Sequence, residues 1–224
     1  MNCTGHLVVH FMNALIYTDH IMKNKLKEDT ATLEILQAIE SKKDVTQRHL
    51  ADRLDVALGL ANSYLKRCVR KGLVKIHQAP ANRYFYYLTP KGFTEKTRLT
   101  TEFLGNSFDF YRTAGESLTD IFSECEKKGQ KKVIYCGISE LAEIASIRIL
   151  EFDLKIIGTL DQDSKKETFF HLPVWKKITD IHEFDVCLIT SLEKANKYYD
   201  LLVDNMDKEK ILVPSILGIK HIIN

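Results

Sequence analysis

The 224 residues suffice for one large domain or two small ones, and a 45% hydrophobic content describes a globular chain with a core. No apolar run approaches the roughly 18 residues of a membrane span. Five cysteines (Cys3, Cys68, Cys125, Cys136 and Cys187), with no CxxC pair, exclude a disulfide framework and point to reduced thiols in a cytoplasm.

No nucleophile elbow, HExxH, P-loop or paired-acid motif is present, so the chain is read as a non-enzyme. The net charge of +2 is unevenly spread. Residues 42–98 hold thirteen Lys/Arg against four acids, a net of +9, which leaves −7 for the rest. A basic module joined to an acidic one points to a polyanion partner for the basic part only.

Residues 1–29 are an N-terminal extension. The segment HLVVHFMNALIY (6–17) is too short to span a membrane and lacks a basic leader. It is expected to be an amphipathic helix that packs on the protein or a partner. Cys3, His6 and His10 have helical spacing, but nothing completes a ligand set and no metal site is expected.

Residues 30–93 have the pattern of a winged helix. TLEILQAIES places Leu33, Ile35, Leu36 and Ile39 at helical spacing. Thr46 caps a second helix with Leu50, Ala51 and Leu54 inward, and Gly59 is expected to make the turn. LANSYLKRCVRKG forms the third helix, closed by Gly72. Ala61, Leu65, Cys68 and Val69 lie on its inner face. LVKIHQ and RYFYYLT, separated by APAN, form a hairpin, and Pro90 opens another helix. A helix-turn-helix with a wing, basic throughout, points to double-stranded DNA. Asn62, Ser63, Lys66 and Arg67 are placed on base edges or phosphates, and Arg70 on phosphate. Thr46 and Gln47 at the second helix, and Asn82 and Arg83 at the wing, complete the DNA-binding candidates.

Residues 94–128 are expected to be a mostly helical connector, interrupted at Gly105 and Gly115. The large apolar residues Phe103, Leu104, Phe108, Tyr111, Leu118, Ile121, Phe122 and Cys125 need burial; a homodimer interface is the expected place, with packing between the two domains as the alternative. ECEKKGQKK, 124–132, is read as a hinge.

Residues 129–224 alternate strands and helices. The strands KVIYCG, LKIIGTLD, FDVCLITS and KILVPSI are separated by helices, with PVWKKITDI read as a turn and short helix. That is a small Rossmann-like parallel sheet, so the fold class is α/β with two domains. Gly137-x-Ser139-x-x-Ala142 follows a strand and opens a helix, and Asp161 falls near the offset of a ribose-binding acid. Gly137, Ile138, Ser139, Glu140, Leu141, Asp161, Asp163, Pro173 and Ser191 are the ligand candidates. Ser139 stands where a glycine normally admits a pyrophosphate, and Glu140 and Glu143 put negative charge at the helix start. Cys136, beside that helix, is a minor candidate for oxidant sensing. Trp175 is expected to cover the sheet, and His171 to be structural.

NSYLKRCVRKGLVKI followed by YFYYLTPKGFTEKTRLTTEFL resembles the MarR-type regulators associated with bacterial exopolysaccharide gene clusters. The resemblance covers about residues 30–110 and implies a dimeric DNA-binding transcription regulator. Leu60 departs from the polar or basic residue expected at the start of the third helix. GISELAEIA, IIGTLDQD and HLPVW are similar to the N-terminal nucleotide-binding subdomain of bacterial sugar acyltransferases and to CoA-binding domains, over about residues 131–215. That similarity implies a nucleotide-sugar as effector and makes Glu140 expected; the catalytic β-helix is absent. The fusion also resembles the redox-sensing repressors that join a winged helix to an NAD(H)-binding domain, which makes a dinucleotide the alternative effector. Two rivals stay open: a dimerisation scaffold without ligand, and a sugar-nucleotide-modifying enzyme with a regulatory winged helix.

Overall fold

The computed structural model describes residues 27–41, 45–79 and 83–219. The apolar segment 6–17, Cys3, His6, His10 and Asn82 lie outside these. The chain forms an N-terminal winged helix-turn-helix followed by an α/β domain with a mostly parallel sheet. Two compact units meet in sequence between Asn106 and Ser107.

In the first unit, helix α1 (27–41) buries Ile35, Leu36 and Ile39 against Leu50, Leu65 and Cys68. Helix α2 (Gln47–Leu54) begins where Thr46 Oγ1 accepts from the His49 N–H, and it ends at Asp55, which is left-handed at φ 49°. Asp55 makes the turn expected of Gly59, which instead lies in the first turn of α3 (Leu58–Arg70). Aspartate tolerates this conformation better than most residues, so the turn carries no glycine signal. Helix α3 closes as expected. Gly72 (φ 73°) donates to the Val69 carbonyl, and Leu73 to that of Cys68.

Strands β1 (Val74–Ala79) and β2 (Arg83–Leu88) pair antiparallel as the wing. The LTPKG stretch then does three jobs. Thr89 Oγ1 accepts from the Gly92 N–H and donates to the Gly72 carbonyl at 2.7 Å. Pro90 opens helix α4 (Pro90–Lys127). A Cβ on Gly92 would lie 2.1 Å from the Leu73 carbonyl oxygen, so only glycine fits.

Helix α4 runs 38 residues and continues through Gly105 and Gly115, contrary to the expected interruptions. A glycine inside a helix costs only about 1 kcal/mol relative to alanine. At Gly115 the missing Cβ makes room for the Arg148 guanidinium, 2.9 Å from where a Cβ would stand.

The expected connector is not a separate piece. Leu118, Phe122 and Cys125 are buried in the α/β core with Ile121 packed beside them, which corrects their assignment to a dimer interface. Each such burial contributes about 2 kcal/mol. Leu104, Phe108 and Tyr111 stay exposed. The expected hinge is a tight helix end. Gly129 (φ 70°) donates to the Glu126 carbonyl and Gln130 to that of Cys125. Asp185 then accepts from the Lys131 and Lys132 N–H groups, each at 2.7 Å.

The second unit holds β3 (Lys132–Cys136), α5 (Glu140–Arg148), β4 (Lys155–Leu160), β5 (Thr168–Phe169), β6 (Leu172–Trp175), β7 (Val186–Ile189), α6 (Ala195–Val203) and β8 (Ile211–Leu212). Sheet order is β5-β6-β4-β3-β7-β8, parallel except for the β5–β6 hairpin. The five parallel strands, numbered along the chain, run 3-2-1-4-5, the doubly wound order. Pro173-Val174-Trp175, read as a turn, belongs to strand β6. Proline is tolerated because the pairing with β4 starts only at Val174. Val133 and Tyr135 face the α4–α5 side, and Ile134 and Cys136 the α6 side. Trp175 does cover the sheet: a Cβ on Gly158 would meet its ring at 2.3 Å.

Candidate functional site

The exposed face of α3 gathers the residues expected to meet DNA. At 100° per residue, Gly59, Ser63, Lys66 and Arg70 share one stripe, and Ser63, Lys66 and Arg70 are exposed. Gln47, Asn62, Lys66 and Arg70 come together around a hollow of about 250 Å³, closed by Ile76 and Tyr86. Gln47 Nε2 donates to the Tyr86 hydroxyl at 3.3 Å, which ties α2 to the wing. Asn62 Oδ1 is buried with no hydrogen-bond partner among the described residues.

Arg67 departs from the group. It lies on the flank of α3, paired with Glu28 of α1. That hydrogen bond raises the guanidinium pKa and lowers that of the Glu28 carboxyl. The partner was missed because Glu28 is 39 residues away in sequence with no periodic link to it. Thr46 is exposed and Arg83 opens β2 opposite Ala79.

The doubly wound order places a crevice beyond the carboxyl ends of β3 and β7, where the chain turns to opposite sides of the sheet. A cavity of about 570 Å³ lies there. Of the ligand candidates it brings together Ile138, Ser139, Glu140, Asp161 and Ser191. Glu143, Glu193, Lys194 and Tyr198 also line it. Glu193 and Lys194 lie in the loop at the carboxyl end of β7, where ligands bind in this fold, and belong to no motif in the sequence.

The other candidates do other work. Leu141 is fully buried core. Pro173 is strand-bound opposite Thr168. Asp163 is exposed and bonded to Lys194 at 2.8 Å, with Lys197 at 3.4 Å, and both ammonium groups hold its carboxyl below the ordinary value. Gly137 (φ 98°) is required by Ser191, whose Cβ would lie 2.4 Å from an added Cβ.

The crevice's polar groups are satisfied by their own neighbours. Ser139 Oγ accepts from the Leu141 N–H at 3.1 Å and donates to the Thr190 carbonyl at 2.5 Å. It is the N-cap of α5, with its hydroxyl turned into the protein. Asp161 accepts from the N–H groups of Ile138 (3.0 Å), Asp163 (3.1 Å) and Ser164 (2.9 Å). The Ile138 N–H, in the turn that would cradle a phosphate, is therefore engaged by a carboxylate. Ser191 Oγ accepts from the Lys194 N–H. Glu140 and Glu143 occupy the first turn of α5, where they complement the helix dipole themselves. A diphosphate in the dinucleotide pose would meet the carboxylates of Glu140, Glu143 and Asp161 here.

Cys136 is fully buried in the sheet, facing Cys187. Its hydrogen bond with Cys187 and its complete burial both hold the pKa well above the ordinary value, and a thiol becomes reactive through the opposite shift. No group of three or more His, Cys, Asp or Glu among the described residues has a metal-binding arrangement. No helix among them is long and apolar enough to cross a membrane.

Fold and site together define a winged helix with a basic face, attached to a doubly wound α/β domain with an acidic crevice. Residues 28–75 match the family model described as winged helix-turn-helix DNA-binding. Among solved structures, the chain is similar to a MarR family transcription regulator at 20% identity and a TM-score of 0.35, covering 50% of this chain and 82% of that one. It is similar to the PcaV transcriptional regulator of Streptomyces coelicolor, solved with its natural ligand, at 19% identity and a TM-score of 0.35, covering 49% and 79%. It is also similar to MepR of Staphylococcus aureus in a DNA complex, at 21% identity and a TM-score of 0.33, covering 43% and 76%. No curated protein matches the chain.

Proposed function

We propose that this chain is a MarR-like DNA-binding transcription regulator. Its winged helix binds operator duplex through α3, and its α/β domain offers an effector crevice. The observation that carries the reading is the exposed Ser63–Lys66–Arg70 stripe on the third helix of a helix-turn-helix. Double-stranded DNA is the partner that such a stripe fits, because phosphates line both edges of the groove the helix enters. The exposed Leu104, Phe108 and Tyr111 on α4 support a homodimer. The resemblance of residues 30–110 supports target genes in polysaccharide or cell-surface sugar synthesis. A cytoplasmic location and the absence of catalysis go with the reading.

A gel shift of the full chain on its own upstream region, repeated across salt concentrations, tests it. Affinity should fall log-linearly with salt, by about one unit of slope for each phosphate engaged. Binding that ignores salt would remove the reading.

A second reading concerns the α/β domain alone. Because Ser139, Asp161 and Ser191 are bonded within the protein, the domain also fits a scaffold with no effector. A thermal-shift series of the full chain against nucleotide-sugars, NAD(H) and acyl-CoA separates the two, since stabilisation by any of them favours the effector reading.

A further inference from the structure

We propose that Leu58 and Leu60, at the leading turn of α3, read the 5-methyl group of thymine in the major groove. The inference rests on the DNA-binding reading above. Both side chains are about half exposed, at 46% and 45%, on a helix whose other outward residues are polar or basic. They flank Gly59, where an added Cβ would meet nothing within 4 Å. The end of the helix is therefore two isobutyl groups around a bare stretch of backbone.

The acid nearest this end along the chain is the exposed Asp55, in the turn before the helix. Ala57 provides no capping side chain, and the first turn carries no acid. Lys66 and Arg70 follow on the stripe that begins at Gly59, so the positive charge lies behind the leucines along one helix. A recognition helix leads into the major groove with its N-terminal residues. The one apolar group displayed there is the thymine methyl; the other edges present donors and acceptors that leucine would leave unpaired. Leu58 and Leu60 stand about 200° apart around the axis, one on each side of Gly59, so the two cannot share one methyl group.

The test starts from duplexes that the full-length protein selects from a random-sequence pool. Each thymine is then replaced in turn by deoxyuridine, which keeps the pairing and removes the methyl. At two positions per half-site the replacement should weaken wild-type binding about fourfold, the equivalent of one buried methyl. Leu58→Ala should abolish the dependence at one of these positions and Leu60→Ala at the other, with unchanged salt slope. Both variants should melt with the wild type, because the side chains are half in water. Uracil tolerated everywhere, or thymine dependence intact in both variants, overturns the proposal. So does a change of oligomeric state in either variant with thymine dependence intact, which would assign the leucines to a protein contact. Failure to select any duplex overturns the DNA-binding reading itself, and this inference with it.

Discussion

The two units handle polar groups in opposite ways. In the winged helix, Ser63, Lys66 and Arg70 point outward on one stripe, and no pairing with an acid is seen for the two cations among the described residues. In the α/β domain, the groups at the crevice close on one another: Ser139 on Thr190, Asp161 on Ile138, Ser191 on Lys194. A surface that keeps one sign of charge unspent is prepared for a charged partner. A crevice whose donors and acceptors are already matched must exchange internal bonds for those of a ligand.

The largest expected effect falls on the closed side. Gly137→Ala forces a Cβ against Ser191 at a residue with φ 98°. Overpacking and left-handed strain each cost about 1–3 kcal/mol, so a loss of roughly 4 kcal/mol should appear in urea unfolding followed through the α/β domain. A loss below about 1 kcal/mol would mean that the crevice is looser than the geometry gives, and the contrast between the units would weaken.

On the open side, Lys66→Ala/Arg70→Ala should weaken duplex binding by roughly 30- to 100-fold at moderate salt and lower the salt slope by about two, with unchanged melting. Arg67→Ala should cost less in affinity, because its guanidinium is held by Glu28. Equal losses for Arg67 and Lys66 in a gel shift would show that the Glu28 pair opens on DNA. Next in size, Asp161→Ala strips the acceptor from three backbone N–H groups and should cost about 2 kcal/mol by chemical denaturation, with or without nucleotide present.

Much of the fold was legible, and the misses share a cause. Thr46, Gly72 and Pro90 announce helix ends through local chemistry, and the continuous apolar run VIYC in β3 announces a strand buried on both faces. What stayed hidden depends on residues far apart in sequence. Gly92 exists for the Leu73 carbonyl, Gly115 for Arg148 and Gly137 for Ser191. A glycine in isolation signals a turn or a phosphate, so Gly115 suggested a break and Gly137 a nucleotide. The α4 stripe shows the same limit. Periodicity showed that Leu118 and Phe122 had to be buried, but not that the cover was the chain's own sheet. For the candidate DNA face, charge and helical spacing located Ser63, Lys66 and Arg70. They could not show that Arg67 had a partner.

The smallest expected effect bears on Ser139. Ser139→Gly restores the glycine of the dinucleotide fingerprint and removes both the α5 cap and the bond to the Thr190 carbonyl. Glycine at that position is nearly as good a cap as serine, so the helix itself loses a few tenths of a kcal/mol. The lost bond to Thr190 adds about 1 kcal/mol. Nucleotide affinity should not rise, because Asp161 still holds the Ile138 N–H and Glu140 and Glu143 still face the crevice. Thermal shift of the wild type and the variant with NAD(H) should show the same absence of stabilisation. If the variant alone gains it, the serine side chain was the sole obstacle, and the internal bonds of the crevice yield to a phosphate more readily than their geometry implies.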